Sequence, residues 1–584
     1  MPTKPKKTTE EHDPVEAERL KTLGNELYQR GEYDAAHFKY TQAIEKDPTN
    51  AIIYANRAAV LLATKDYFDA AFDCRKAVEL DPTYAKAWGR LGTATHAVSA
   101  WEDSIRTWKE ALECLPTGNL TEAQQSMKDQ FSRGLARAKA DRRKVETGVE
   151  AIPSGPSTAN KFPWDVAFAV KRRKLASDKP SCVMVIIYAH GEFDEAMRTL
   201  TQQRLITHPQ TGEPAVAGNP NVLQPLVNSI LTDERVFHIT EPDFQEKSER
   251  QCLFESQMLQ GWVSGSPPLA DIKRQILQRL KRDPWQKVRP SISTTVRTWI
   301  FRAFLHWQLL GKHVFAHELF TQALKFLEWG RKQWPNVPAS ERGVVFEISW
   351  IRGVKRQHLA LMHASKAHNG QDSPFSFEDL IAAAKDLVED VDSNPPGSGL
   401  DDEDHIGHSY AYWIYPKAQA LSILGWSYMQ AALRAHDGDP LTQSVFETAS
   451  EYYLAAAEGY PTDDSYHPTF LRKHLECLCQ MDKPLKVTLP LGDRILEVLP
   501  ESLEIWGLGP TGDALRQMQE SVRKFATHWR AEVREGRATM DDVGKIDMPL
   551  VPKLKTEKDG LPFSVKYLSL GNEGEERGRL SGAK

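Results

Sequence analysis

AERLKTLGNELYQRGEYDAAHFKYTQAIEKDP (17–48), AIIYANRAAVLLATKDYFDAAFDCRKAVELDP (51–82) and AKAWGRLGTATHAVSAWEDSIRTWKEALECLP (85–116) are one unit written three times. A step of 34 residues leads from Leu20 to Tyr54 to Trp88, and from Gly24 to Ala58 to Gly92. The same step links Ala36, Ala70 and Ser104; Tyr40, Cys74 and Trp108; Ala43, Ala77 and Ala111; and Pro48, Pro82 and Pro116. Alternating large and small residues at this period predict stacked helix–turn–helix hairpins. Gly24, Ala58 and Gly92 let two helices approach closely, while Leu20, Tyr54 and Trp88 fill the space beside them. The prolines cannot continue a helix and end the second one of each pair. One hairpin cannot bury its apolar face alone, so neighbours stack into a superhelix with a concave side.

Outward from this stretch, residues 1–14 are polar and rich in Pro, Lys and Glu, and are expected to be disordered. The repeat domain is placed at 15–143, its first pair at about 17–30 and 33–46 with a hinge at Gly31. Thr121 offers an N-cap to a long polar helix, on which Met127, Phe131 and Leu135 form one apolar stripe. That is how a terminal helix caps a solenoid. Gly148, Pro153, Gly155 and Pro156 mark a linker at 144–164.

Residues 165–535 read as a second, less regular helical-hairpin solenoid. Gly191-Glu192-Phe193-Asp194-Glu195-Ala196 echoes the turn at Gly31-Glu32-Tyr33-Asp34-Ala35-Ala36. Val296, Trp299, Ile300, Ala303, Phe304, Trp307 and Leu310 form one helical stripe. After Gly311 and Lys312 a second follows through Ala316, Leu319, Phe320, Ala323, Leu324 and Leu327. Further helices are expected near Phe377–Val391, Lys417–Leu433 and Thr442–Glu458, with long loops at 206–222 and 392–408. Residues 536–584 read as a mostly disordered tail, within which Phe563, Val565 and Tyr567 alternate like a short strand. The fold class is all-α.

A net charge of −5 with 26% charged residues argues against a nucleic-acid binder. The apolar run near Val183–Ile187 is too short to span a membrane. Six scattered cysteines show neither disulfide framework nor zinc spacing, which points to the cytoplasm, with the nucleus as a second compartment. No metal, cofactor or catalytic residue is expected.

The chemistry lies in the first helix of each hairpin. Lys21 and Asn25 share a face at i, i+4, Asn56 follows in the second hairpin, and Lys86 and Arg90 repeat the i, i+4 spacing in the third. Superposed, they give three cations and two amides on one inner wall, with no acidic partner in the motif. A peptide end carrying two carboxylates fits such a set. Charge-assisted hydrogen bonds of roughly 1.5–3 kcal/mol each, less the cost of ordering a tail, suggest about micromolar affinity. Ala59 is small and leaves room for an aliphatic side chain beside the terminus.

Lys21-Thr22-Leu23-Gly24-Asn25-Glu26, Asn56-Arg57-Ala58-Ala59 and Tyr84-Ala85-Lys86-Ala87-Trp88-Gly89-Arg90 resemble the dicarboxylate-clamp tetratricopeptide-repeat (TPR) domains of Hsp70/Hsp90 co-chaperones. The likeness takes in the small glutamine-rich TPR protein and the Hsp70–Hsp90 organising protein, over residues 15–143 only. The resemblance implies a groove that grips the C-terminal Glu-Glu-Val-Asp of Hsp70 or Hsp90. It implies that Lys21, Asn25 and Asn56 hold the terminal carboxylate, Lys86 the last aspartate side chain, and Arg90 the peptide upstream. No glutamine-rich tail accompanies it. The chain is therefore expected to be a non-enzymatic co-chaperone or adaptor, with an unidentified client or second partner for the C-terminal region. The alternatives are a TPR scaffold in another assembly, or an enzyme whose active site lies in 165–535.

Weaker signals are set against plainer readings. Gly507-Leu508-Gly509-Pro510-Thr511-Gly512 matches a dinucleotide fingerprint in letters only, and reads as a helix-entry loop before Asp513. Asp401, Asp402, Glu403, Asp404 and His405 could attract a metal but read as a solvated acidic loop, and Lys171-Arg172-Arg173-Lys174 could serve nuclear import but reads as a charged helix face.

Overall fold

The computed structural model describes residues 12–148, 162–177, 179–207, 214–239, 241, 243–262, 267–396, 403–434 and 441–546. The expectations for 1–11, for 149–161 of the linker and for 547–584 of the tail, with Phe563, Val565 and Tyr567, lie outside these residues.

The repeats form six helices: α1 (Pro14–Gln29), α2 (Tyr33–Lys46), α3 (Ala51–Ala63), α4 (Tyr67–Leu80), α5 (Ala85–Ala97) and α6 (Trp101–Glu113). The period is visible in the backbone. Gly31, Lys65 and Ser99, each 34 residues apart, sit in the left-handed region at φ 76°, 64° and 57°. The next residue donates its N–H back across the turn in each case: Glu32 to the Leu27 carbonyl, Asp66 to Leu61 and Ala100 to Thr95, at 2.8–3.0 Å. This six-to-one bond satisfies a helix-end carbonyl and reverses the chain. After α2 and α4, Asp47 and Asp81 accept the N–H of Thr49 and Thr83 at 3.0 Å, which closes the Asp-Pro-Thr exits.

The close approaches are real. A Cβ at Gly24 would lie 2.7 Å from the Tyr40 ring, and one at Gly92 would lie 2.6 Å from Trp108. α7 (Glu122–Gly148) follows, capped where Gln124 donates its N–H to Thr121 Oγ1 at 3.3 Å. Phe131 is buried against Trp108, with Met127 and Leu135 packed around it, as the apolar stripe anticipates.

The remaining helices are α8 (Pro163–Leu175), α9 (Val183–Leu200), α10 (Leu223–Asp233), α11 (Phe244–Met258), α12 (Leu269–Arg282), α13 (Trp285–Gln308) and α14 (His313–Gln333). They continue as α15 (Ala339–Arg342), α16 (Ile348–Asn369), α17 (Phe377–Ser393), α18 (Glu403–Ser409), α19 (Tyr415–Ala432), α20 (Leu441–Gly459), α21 (Tyr466–Gln480), α22 (Leu485–Trp506) and α23 (Gly509–Arg534). Among the described residues the fold is all-α apart from one hairpin, β1 (Arg204–Thr207) with β2 (Pro214–Ala217), antiparallel with Arg204 opposite Ala217.

Two compact units emerge. The first holds the repeats and also takes in residues 262–284 and 314–322. There Phe315 meets Phe68 edge-on at 5.3 Å. The Glu318 carboxylate accepts the N–H groups of Tyr67 and Phe68, capping the N-terminus of α4, and burial pushes it up to about 8.

The second unit holds the described residues within 162–261, 285–313 and 323–546. Its core runs through α16, α17 and α19, then α19 to α21. Arg235 lies buried, bonded to Asp233 and Asp464 and stacked 4.1 Å over Trp506.

Some expectations are corrected here. Gly191–Ala196 is no turn but lies within α9, because apolar residues on both sides keep the helix going through a single glycine. Part of the loop expected at 206–222 is the β1–β2 hairpin. The loop expected at 392–408 is shortened by α17, which runs to Ser393, and by α18. By contrast, Gly311 does make the α13–α14 turn, at φ 60°. α17, α19 and α20 fall where the apolar spacing places them.

Candidate functional site

The packing between hairpins decides which side chains come together. α1 packs on α3, and α3 on α5. The first helices of the three hairpins thus lie side by side. Lys21 and Asn25 stand on α1, Asn56 and Ala59 on α3, and Lys86 and Arg90 on α5.

Their geometry is specific. Asn25 Oδ1 accepts two hydrogen bonds, from the Tyr40 hydroxyl at 2.6 Å and from Asn56 Nδ2 at 3.1 Å. The two amides from separate hairpins thus touch. Arg90 Nη1 donates to the Ala55 carbonyl at 2.6 Å, one residue before Asn56, so the guanidinium reaches from α5 to α3. Burial pushes the Tyr40 hydroxyl up to about 12, against the opposing pull of the nearby Arg90 charge. Asn25, Asn56, Arg90 and Tyr40 form one cluster. Lys86 lies one turn before Arg90, exposed and without an ion-pair partner among the described residues. Ala59 is half-buried one turn beyond Asn56.

One expectation fails: the motif does contain an acid. Lys21 Nζ lies 2.7 Å from Glu18 Oε1, three residues back on α1. Glu18 is 57% exposed, so the pair is solvent-screened and worth about 0–1 kcal/mol. An incoming carboxylate can replace it at little cost.

Two residues escape a reading by period. Tyr40 sits at a position that holds Cys74 and Trp108 in the other hairpins, and reads as core. Only its hydroxyl marks it as different. Arg57, beside Asn56, grips the buried Asp73 through Nε and Nη2 at 2.7 and 2.8 Å, and Thr41 Oγ1 through Nη1 at 3.1 Å. It ties α3 to both α2 and α4. The corresponding residues in the other hairpins are Leu23 and Leu91, so a cation at an apolar position was the available signal.

The weaker signals resolve into structure. Arg173 pairs with Glu504, and Lys174 with Asp463 at 3.0 Å, so two cations of that run are engaged. Gly509 turns the chain at φ 67° into α23, which starts there and not at Asp513. Asp401 and Asp402 lie outside the described residues, and among the described residues no group of His, Cys, Asp or Glu is arranged to hold a metal. No described helix is long and apolar enough to cross a membrane.

Comparison with known proteins agrees with the period. Residues 24–65 match the family model described as TPR repeat. The chain is similar to the small glutamine-rich tetratricopeptide repeat-containing protein 2 of Saccharomyces cerevisiae, 40% identical over 109 residues, covering 19% of this chain and 31% of that protein. It is also similar to the heat shock protein sti1 homolog of Schizosaccharomyces pombe, 33% identical over 177 residues, covering 29% and 30% of the two chains. These matches thus span about a third of the relatives' length. Among solved structures, the first TPR of Spaghetti (RPAP3) bound to the HSP90 peptide SRMEEVD aligns at 31% identity. That alignment covers 21% of this chain and 96% of the other, with a TM-score of 0.19.

Proposed function

We propose that this chain, whose N-terminal segment is a TPR domain similar to those of Hsp70/Hsp90 co-chaperones, is a non-enzymatic adaptor that grips the acidic C-terminal tail of Hsp70 or Hsp90. The observation that carries this reading is the contact between Asn25 and Asn56 with Arg90 reaching over the same helix. Amide and guanidinium donors from three hairpins converge, and a chain end ending Glu-Glu-Val-Asp supplies the acceptors. Lys21, Asn25 and Asn56 take the terminal carboxylate, Lys86 the last aspartate side chain, and Arg90 the peptide upstream. Ala59 gives space to the aliphatic residue before the terminus. Charge-assisted bonds to a flexible tail fit an affinity of about 1 μM.

The mechanism is tethering. Docking the chaperone's tail raises the effective concentration of whatever residues 165–535 hold. The compartment that fits this partner is the cytoplasm.

The test is calorimetric titration of the full chain with a Glu-Glu-Val-Asp peptide, beside Lys86→Glu and Arg90→Ala variants. Micromolar binding by the wild type, lost in both variants and weakened by salt, is the expected result. Variants that bind as the wild type does remove the reading.

A further inference from the structure

We infer that Tyr40 is a positioning residue for the groove: from the second helix of the first hairpin, its hydroxyl locks the Asn25 amide with its nitrogen left for an anionic ligand. This rests on the carboxylate-binding reading above and assigns a role that the repeat pattern does not.

An amide oxygen has two lone pairs. Asn25 Oδ1 spends both, on the Tyr40 hydroxyl at 2.6 Å and on Asn56 Nδ2 at 3.1 Å. Asn25 Nδ2 has no partner among the described residues, so both of its N–H groups stay available. The reverse orientation is disfavoured from the tyrosine's side. Tyr40 is 2% exposed, and its hydroxyl has no other acceptor among the described residues. Turning the amide around would leave that buried O–H without an acceptor, the costly case for a polar group. It would also set the Asn25 oxygen toward an incoming carboxylate, where two acceptors repel.

The ring cannot drift. It lies against Gly24, where even a Cβ would come within 2.7 Å, so the hydroxyl is delivered to a fixed place. With its proton held up to about 12, Tyr40 remains a donor across the physiological range. Cys74 and Trp108, at the corresponding positions, have no hydroxyl and face no asparagine. The ring answers the repeat, and the hydroxyl answers the amide.

The experiment is a double-mutant cycle in the full chain, with the Glu-Glu-Val-Asp peptide as probe. Tyr40→Phe keeps the ring and removes one oxygen. A bond of this kind predicts a loss of about threefold to tenfold in affinity. Asn25→Ala is expected to lose more, and Tyr40→Phe in that background nothing further, because the amide it orients is gone. A merely structural tyrosine would give the same loss in both backgrounds. Amide exchange in α1 and α2 monitors folding of each variant independently. Equal losses in the two backgrounds, or none in the single variant, overturn the inference while leaving the groove reading intact. A wild-type chain that does not bind the peptide overturns both.

Discussion

Replacing Arg57 by methionine strands a carboxylate. Asp73 is 1% exposed and takes two guanidinium bonds, at 2.7 and 2.8 Å, with a third arm of Arg57 on Thr41 at 3.1 Å. Breaking a buried pair from one side costs about 3–5 kcal/mol, because the remaining charge is left without compensation. At 1.4 kcal/mol per tenfold, the local opening equilibrium rises by roughly a hundredfold to several thousandfold. Asp73→Leu costs less, since Arg57 keeps 14% side-chain exposure and can reach water. The double variant Arg57→Met/Asp73→Leu recovers much of the loss, because both desolvation penalties vanish together. The assay is native-state amide exchange of α3 and α4 in the full chain. A protein of two compact units has no single unfolding free energy, and exchange reads each region separately. Peptide affinity falls with the single variant too, because Arg57 anchors the helix that presents Asn56 and a looser groove binds less well. An Arg57→Met cost under about 1 kcal/mol, or a double variant as costly as the sum of the singles, refutes this account.

Lys65 and Ser99 hold left-handed turns that glycine adopts without strain, so Lys65→Gly is expected to stabilise the second hairpin by about 1 kcal/mol, read as slower exchange in α3 and α4. Glu18→Gln frees Lys21 and is expected to tighten acidic-peptide binding about twofold to fivefold at low salt, measured by calorimetry. In the second unit, burial lowers His238 to about 4, and it stacks on Trp164 with Nδ1 at the Val236 carbonyl. Its folded pKa lies below the unfolded value of about 6.5, so the unfolded chain binds the proton more readily. That contribution is full above about pH 6.5 and is lost as pH falls toward 4; acid titration of exchange in α8, which carries Trp164, is expected to show the decline, and His238→Phe to flatten it.

How much of this was legible follows from range. The repeats were legible because their determinants recur locally: Gly24 under Tyr40, Gly92 under Trp108, and Gly31 at the turn. α2 spans Tyr33–Lys46, where the apolar spacing sets it. The positions of Lys21, Asn25, Asn56, Lys86 and Arg90 were legible too, because a helix face follows from spacing. What those side chains bond to was not. Glu18 lies within reach of Lys21 only through a rotamer choice, and Tyr40 meets Asn25 across a hairpin. Strands of four residues, Arg204–Thr207 and Pro214–Ala217, are too short to show alternation among the prolines and glycines around them. The cap that Glu318 places on α4 joins residues 251 apart, and no local period records such a contact.

The proposed ligand is a free chain end. The most direct measurement is the ratio of dissociation constants of the full chain for a Glu-Glu-Val-Asp peptide with a free C-terminal carboxylate and for the same peptide amidated. Removing one terminal charge is expected to weaken binding by about tenfold or more, because Lys21, Asn25 and Asn56 lose their shared acceptor. Equal affinity for the two peptides contradicts the account.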